Sequence, residues 1–204
     1  MKKTTKTKIK KKQYDSEASK EKLKKAAIDI FSQKGFKATT TRMIAKKSGV
    51  NISLISRYFG SKEKLLHVLM REHIDNHINM PLSYPPQETF EDEVNLFLST
   101  KLKTLQDDMS FARCIINEAF INTKHQKLVP QVLIDEGDPK LKQRLQLLKD
   151  KGQISKDVDI KQLSLVIGLF TQGLIFGLLL RLCVSDDREE QIKMFAKTLG
   201  AGIK

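Results

Sequence analysis

The sequence predicts an all-α protein, with a three-helix N-terminal domain followed by a larger helical domain. Apolar residues recur three or four positions apart in segment after segment of the 204-residue chain, which is the spacing of one face of an α-helix. No segment alternates apolar and polar residues over enough positions to indicate a strand. The third observation is the distribution of charge, which divides the chain into two parts.

Positive charge is concentrated in the first third of the chain. Residues 1–64 hold 19 Lys and Arg against 5 Asp and Glu, whereas the remaining 140 residues hold 18 against 19. A basic segment beside a neutral body favours a polyanion partner, because each neutralised phosphate releases condensed counterions. A solvated basic face is the alternative, and charge alone does not decide between the two.

The chain begins with a lysine-rich segment that lacks the apolar residues needed for a core. Seven of the first twelve residues are Lys, so residues 1–14 are predicted to form a disordered basic tail. From Ser16 the pattern is helical, and Gly35 suits a left-handed C-terminal cap. The apolar stripe of this helix consists of Leu23, Ala26, Ala27, Ile30 and Phe31.

Two short helices are predicted on either side of Gly49. The first covers residues 42–48, and the threonine hydroxyls of residues 39–41 can cap it. The second begins near Asn51, whose side chain can serve as its cap, and ends near Phe59. This order is that of a helix-turn-helix motif, in which the second helix can enter the major groove of DNA.

The second helix of the motif has an apolar inner side and a mainly polar outer side. Ile55 and Phe59 lie four residues apart and are predicted to face the core. The outward set comprises Asn51, Ile52, Ser53, Leu54, Ser56, Arg57 and Tyr58. Its two aliphatic members suit apolar contact with thymine methyl groups. We therefore assign residues 15–61 to a helix-turn-helix DNA-binding domain.

A longer helical body is predicted over residues 62–204. Ser61 can cap a helix that runs toward His77, and a proline-rich loop breaks the chain after it. Further helices are marked by apolar stripes that begin at Phe90, Phe111, Leu141 and about Ile160, and by a final segment from about Arg188.

One stretch is long and apolar enough to require a test for membrane insertion. Leu163–Leu180 reads LSLVIGLFTQGLIFGLLL and contains two glycines four residues apart. Polar residues near its middle and the lack of flanking Trp or Tyr argue against spanning. A helix apolar on nearly all sides can instead be buried in a core or an oligomer interface. We expect no membrane association.

The chain shows no sign of export. The first residues contain no apolar segment and therefore no secretory signal. Cys114 and Cys183 lie in apolar helical stretches without metal-ligand spacing, which favours buried free thiols in a reducing compartment. We expect a cytoplasmic protein.

A family resemblance follows from the helix-turn-helix region. The string GFKATTTRMIA at residues 35–45, then Gly49-Val50, then YFGSKEKLL at residues 58–66 resembles the TetR family of bacterial transcriptional regulators. The resemblance covers residues 17–70 and combines several fixed spacings. It implies a ligand-responsive repressor that binds a palindromic operator as a dimer and is released by a small-molecule effector. A TetR-like DNA-binding protein with an activator or nucleoid or division role is the alternative.

The resemblance also implies roles for individual residues. Thr40 and Thr41 would cap the first helix of the motif and contact a phosphate, and Arg42 would reach a base. Ile52, Ser53, Leu54 and Ser56 match groove-facing positions, whereas Tyr58 and Lys62 match positions that contact the DNA backbone. Thr40 and Asn51 could be caps only. Arg57 stands where family members often carry an aromatic residue, so it is an additional candidate for a base or phosphate contact.

The C-terminal domain is implied to bind ligand and to form a homodimer. Close approach of two backbones would be permitted by Gly168, Gly173 and Gly177. Polar groups that could contact the effector are His67, Arg71, His77, Arg113, Asn117, Glu118 and Gln172. Each of them is more often a surface group or a satisfied core group.

An enzyme is the competing class of protein. The sequence has no phosphate-binding loop, nucleophile elbow or zinc-protease motif, and an enzyme would leave the charge distribution unexplained. His73 and His77 lie four residues apart, but no third metal ligand is evident. We expect no enzymatic activity, no cofactor and no metal.

Overall fold

The computed structural model describes residues 2–106, 109–121, 138–179 and 187–203, and these segments contain helices and no strand. Within these helices the side chains of residues 2–14, 74, 77–79, 106 and 120 lie outside the description. The predicted all-α class is confirmed. The helices are α1 (Lys2–Ala38), α2 (Thr41–Ser48), α3 (Ser53–Phe59), α4 (Lys62–Asn79), α5 (Phe90–Gln106), α6 (Met109–Ile121), α7 (Pro139–Asp150), α8 (Ile160–Leu179) and α9 (Arg188–Ala201).

The chain forms two compact units. The N-terminal unit combines Met1–His73 with Arg113–Leu128, and the C-terminal unit combines Ile74–Ala112 with Val129–Lys204. Helices α4 and α6 each begin in one unit and end in the other. The sequence-based division at residue 61 follows the end of the helix-turn-helix motif, whereas the compact units also group the start of α4 and most of α6 with the first three helices.

Helix α1 is longer than the sequence pattern indicates. It begins at Lys2 rather than near Ser16, so the structure places a helix where a disordered tail is predicted. The chain has no Gly or Pro before Gly35, and lysine is a good helix former, so no local backbone signal ends the helix at Ser16. Gly35 adopts a φ of 74°, the left-handed value expected of it, and kinks the last turn.

The N-terminal unit is built on the apolar stripe of α1. Leu23, Ala27 and Phe31 are completely buried, together with Ile44 of α2. Ile55 of α3 is 1% exposed, and α4 adds a buried stripe of its own. The buried side chains of the two short helices, Ile44 in α2 and Ile55 with Phe59 in α3, orient them, because each helix presents one apolar face to the core.

The C-terminal unit has a larger core, formed by α5, α7, α8 and α9. Its buried members include Phe90, Val94, Leu145 and Ile167, and the rings of Phe170 and Phe195 stack with centroids 3.8 Å apart. Helices α5 and α9 approach closely at Gly200, where an added Cβ would lie 2.7 Å from Glu91 Oε1 and 3.2 Å from Phe90.

Polar side chains hold the proline-rich loop between α4 and α5. Arg144 Nη2 donates to the Tyr84 carbonyl at 2.7 Å, and Lys140 Nζ donates to the Met80 carbonyl at 2.6 Å. The buried Glu93 carboxylate accepts from Tyr84 Oη and from the Gln87 backbone N–H. Burial, with the charge of Glu93, raises the pKa of Tyr84 well above its usual value, so the phenol stays a donor.

Helix α8 is the most apolar helix described, and by length and composition it could cross a membrane. Ser164 and Thr171 are nevertheless buried on its inner face, where Thr171 Oγ1 donates to the Ile167 carbonyl. Its outer face exposes Val166 and Leu169. Core helices pass the same length and composition test, so α8 is weak evidence for a membrane span.

Candidate nucleic-acid interface

The first helix of the motif begins as predicted. Thr40 has extended backbone angles, and its hydroxyl accepts from the Met43 backbone N–H at 3.3 Å. Thr39 is buried and donates its hydroxyl to the Gly35 carbonyl at 2.7 Å, which ties the start of α2 to the end of α1. Thr40 and Arg42 are exposed, whereas Thr41 is half-buried.

The turn between the two helices combines a left-handed glycine with two side-chain caps. Gly49 has a φ of 67°, which a residue with a Cβ adopts only with strain. Ser48 Oγ accepts from the Val50 backbone N–H. Asn51 Oδ1 accepts from both the backbone N–H and the hydroxyl of Ser53 at 2.9 Å. Asn51 therefore caps the second helix as predicted, but the regular helix begins at Ser53, two residues later than expected.

Helix α3 has the inner and outer sides that its pattern predicts. Ile55 and Phe59 are buried, at 1% and 9% exposure. The exposed members of the predicted outward set are Asn51, Ile52, Ser53, Ser56 and Arg57, whereas Leu54 and Tyr58 are half-buried. Ile52 is 41% exposed, an unusual position for isoleucine, and it can contact a thymine methyl group from there.

Lys62 has a structural partner that the sequence did not reveal. Its Nζ donates to the carbonyls of Phe36 at 2.9 Å and Thr39 at 2.8 Å, and it lies 4.1 Å from the centroid of the Phe36 ring. Two of the three ammonium protons thus satisfy carbonyls that follow the kink in α1. One proton remains for the phosphate contact implied for Lys62.

Sequence reasoning missed Lys20 as a neighbour of α3. Its Nζ lies 5.6 Å from the centroid of the Tyr58 ring and 2.8 Å from Glu17 Oε1. The available signal was helical register, because Lys20 precedes Leu23 by three positions and therefore continues the core-facing side of α1 beyond the core.

The candidate effector residues are divided between the two units. His67, Arg71, Arg113, Asn117 and Glu118 belong to the N-terminal unit, and Gln172 belongs to the C-terminal unit. Glu118 is 7% exposed, and Arg71 and Asn117 are exposed. The remaining described candidates, His67, Arg113 and Gln172, are half-buried, and the side chain of His77 lies outside the described residues. A shallow cavity of about 220 Å³ in the C-terminal unit is lined by α9 and the residues after it, and it includes none of these candidates.

Cys114 lies where α6 approaches the end of α1. It is a buried free thiol, whereas Cys183 lies outside the described residues. Burial raises the pKa of Cys114 to about 11, the charge of Glu118 adds to this shift, and a hydrogen bond with the Phe36 backbone opposes it. Among the described residues no group of three His, Cys, Asp or Glu side chains could hold a metal ion.

The predicted dimer glycines differ in exposure. Gly173 is exposed and Gly168 is half-buried, and a Cβ on either would meet open space. Gly177 is buried within its own unit. The dimer contact of the three glycines stays a prediction. The exposed apolar side chains of this region are Val166, Leu169 and Phe176 of α8 and Met194 of α9.

Comparisons with known proteins agree with the motif. Residues 23–69 match the profile of bacterial regulatory proteins of the tetR family. The HTH-type transcriptional regulator YvkB of Bacillus subtilis is 26% identical over 162 residues, which cover 74% of this chain and 81% of that protein. The probable HTH-type transcriptional regulator YttP of Bacillus subtilis is 42% identical over 55 residues, which cover 27% of each chain.

Solved structures show that the similarity in fold extends over about nine-tenths of the chain. A TetR-family regulator from Syntrophomonas wolfei has a TM-score of 0.66 at 18% identity and covers 91% of this chain and 96% of its own. The flavonoid-responsive regulator FrrA has a TM-score of 0.62 at 22% identity and covers 90% of this chain and 95% of its own.

The capped two-helix motif and its regulator relatives define a helix-turn-helix transcriptional regulator, a DNA-binding protein rather than an enzyme. Residues 23–69 are similar to the TetR family of bacterial transcriptional regulators, and the match to YvkB extends the similarity beyond the motif.

Proposed function

We propose that this protein is a repressor that binds a palindromic operator as a homodimer and is released by a small-molecule effector. The exposed outer side of α3 is the observation that carries this proposal, because it lies in the basic part of the chain. Its serines and Arg57 can bond to base edges and phosphates, while Ile52 and Leu54 suit thymine methyls. Thr40, Thr41 and Arg42 would contact the DNA backbone and the nearest bases from the start of α2.

The homodimer is supported by the outer face of α8. Val166, Leu169, Gly173 and Phe176 follow one another at separations of three, four and three residues. This is the spacing with which one helix packs along another at a small angle, and Gly173 would let the two backbones approach. A two-fold pair would present two α3 helices about 34–36 Å apart, one turn of DNA. Pairing would also cover the apolar face of α8, which agrees with a cytoplasmic protein.

Release by an effector is supported by the course of two helices. Both α4 and α6 belong in part to the N-terminal unit and in part to the C-terminal unit. A ligand that binds one conformation of the C-terminal unit better than another can act on the DNA-binding unit through them. FrrA, described as flavonoid-responsive, shares this fold, so an aromatic small molecule is a reasonable first class to screen.

The direct test selects the DNA sequences that the protein binds and then maps its binding sites in the genome. Purified protein is used to enrich random duplexes, and the selected site is compared with sites bound across the genome. The proposal expects a palindrome with half-site centres one helical turn apart, at one or a few promoters. Absence of any selected site contradicts the proposal, and many scattered sites favour the nucleoid or division role instead.

Regulation is tested with the selected operator placed upstream of a reporter gene. Repression that Arg57→Ala abolishes supports the repressor, whereas activation by the wild-type protein contradicts it. A small-molecule screen for loss of operator binding then tests release, with a nonspecific duplex as the control for general inhibition.

A further inference from the structure

The contact between Lys20 and Tyr58 joins the N-terminal part of α1 to the outer edge of α3. The Lys20 ammonium lies 5.6 Å from the Tyr58 ring centroid, and its side chain is 33% exposed. Tyr58 is half-buried and meets the buried Phe59 ring edge-on, with centroids 6.4 Å apart. The aromatic ring therefore has a fixed orientation and can position the cation beside it.

The Lys20 ammonium also donates to Glu17 Oε1 at 2.8 Å. Both partners are solvent-accessible, and an exposed ion pair of this kind contributes little to stability. A phosphate, with its fixed negative charge, can replace the carboxylate at little expense. The Tyr58 ring thus positions Lys20 beside the recognition helix, and a polyanion can displace Glu17 from the ammonium.

The course of α1 extends this basic edge. The helix continues from Lys20 to Lys2, about 27 Å at 1.5 Å per residue. Seven of the first twelve residues are Lys, and the sequence has no acidic residue before Asp15. The helix therefore continues from Lys20 into a part of the chain whose only charged side chains before Asp15 are lysines.

We propose that Lys20 neutralises a DNA phosphate next to the base pairs read by α3, so that α1 is a third DNA-contacting element beside α2 and α3. This inference rests on the proposed insertion of α3 into the major groove. The partner is the phosphate backbone of duplex DNA, and the contact is independent of base sequence. Binding exchanges the Lys20–Glu17 pair for a Lys20–phosphate pair.

The test compares three single variants of the full-length protein. Lys20→Gln removes the proposed contact, Glu17→Gln removes its competitor, and Lys22→Gln is the matched control. Lys22 is exposed, and helical register turns it about 200° away from Lys20. Affinity for the selected operator and for a nonspecific duplex of equal length is measured by fluorescence anisotropy between about 50 and 200 mM salt. Thermal unfolding verifies that each variant is folded.

We expect Lys20→Gln to weaken binding to both duplexes and to reduce the salt slope by about 0.9, so that its deficit shrinks roughly 3.5-fold from 50 to 200 mM salt. Glu17→Gln should bind both duplexes more tightly than the wild type, and Lys22→Gln should keep the wild-type slope. Equal effects of Lys20→Gln and Lys22→Gln overturn the inference, because general charge would then explain both.

A chemical substitution in the DNA locates the contact. Methylphosphonates replace single phosphates along the operator, each removing one charge. At one phosphate, the substitution should weaken operator binding by the wild-type protein severalfold but leave binding by the Lys20→Gln variant unchanged. If every substitution weakens both proteins by the same factor, the contact is contradicted. If the wild-type protein selects no operator, the proposed function fails, whereas operator binding without this coupling refutes only the role of Lys20.

Discussion

Arg57 is the charged residue of the proposed recognition helix. It is exposed on the outer side of α3, and its guanidinium can bond to guanine in two places or to phosphate. We expect Arg57→Ala to weaken operator binding by about 1–3 kcal/mol for a base contact, with little change in thermal stability. The exposed Lys22 of α1 is the control, because Lys22→Ala removes a charge with little loss of packing. Unchanged affinity for Arg57→Ala would contradict the assignment of α3.

Tyr58 requires a milder substitution than Arg57. Its ring touches Phe59 and Lys20, so Tyr58→Ala would remove packing as well as any phosphate contact. Tyr58→Phe keeps the ring and removes only the hydroxyl, and it therefore separates DNA contact from stability.

Lys62 should matter more for folding than its implied phosphate contact suggests. Its two hydrogen bonds reach the carbonyls of Phe36 and Thr39, and hydrogen bonds to charged groups contribute about 1.5–3 kcal/mol when buried and less when part-exposed. We expect Lys62→Met to lower the free energy of unfolding by about 1–2 kcal/mol in urea titrations. The exposed Lys46 offers a matched control, and equal stability of Lys62→Met and Lys46→Met would show that the two hydrogen bonds contribute nothing.

Cys114 should be nearly inert in the folded protein. Burial raises its pKa to about 11, whereas an unperturbed thiol titrates near 9.0. At pH 8 the reactive thiolate is therefore about a hundredfold less abundant than for an ordinary cysteine. Alkylation of a Cys183→Ser variant followed by mass spectrometry should show slow modification that accelerates as the pH rises toward the pKa. Rapid alkylation of Cys114 in the folded protein at pH 8 would contradict the raised pKa. The same variant unfolded in urea gives the alkylation rate of an accessible thiol for comparison.

Two glycines test how closely the helices pack in the C-terminal unit. A Cβ at Gly200 would press against Phe90 and the Glu91 carboxylate, whereas a Cβ at Gly168 would meet open space. We expect Gly200→Ala to destabilise the fold by about 1–3 kcal/mol through overpacking. Gly168→Ala should be neutral or stabilising by up to about 1 kcal/mol, because alanine favours helix. Urea titration measures the free energy of unfolding of both variants. Equal values would contradict the close approach of α5 and α9.

Local signals in the sequence predicted most of the helix-turn-helix region. The hydroxyl of Thr40, the left-handed Gly49 and the side chain of Asn51 each act at short range, so their roles follow from the sequence alone. The positions of Lys20 and Lys62 could not be predicted in this way. Their partners lie 38 and 26 residues away, and only the packing of α1 against α3 and α4 brings them together.

Helix α8 shows that contacts between distant residues also limit the prediction of a whole element. Periodicity placed α8 correctly, but it could not separate the face turned to its own core from the face left open. Gly177 was therefore predicted at a dimer contact together with Gly168 and Gly173, and it is the one of the three that is buried within its own unit. The contacts of α8 with its own unit decide this, and they connect residues far apart in sequence.

For the whole molecule, the proposed homodimer can be tested by one charge placed on α8. Leu169 is 67% exposed, so Leu169→Glu should fold normally but place a buried charge in the paired state. Light scattering should show a fall in mass from twice 23.3 kDa to a single chain, together with loss of operator affinity. The exposed Leu147 of α7 is the control, and a wild-type mass of one chain would refute the dimer.

In the proposed homodimer, the outer face of α8 would also make regulation sensitive to gene dosage. A chain that needs a second copy to cover Leu169 and Phe176 forms the DNA-binding species by a bimolecular reaction. Operator occupancy would then rise with about the square of the number of chains whenever most of them are monomeric. Halving the synthesis of the regulator would reduce occupancy about fourfold in that regime, so an apolar stripe on one helix would set a threshold for expression of the target genes.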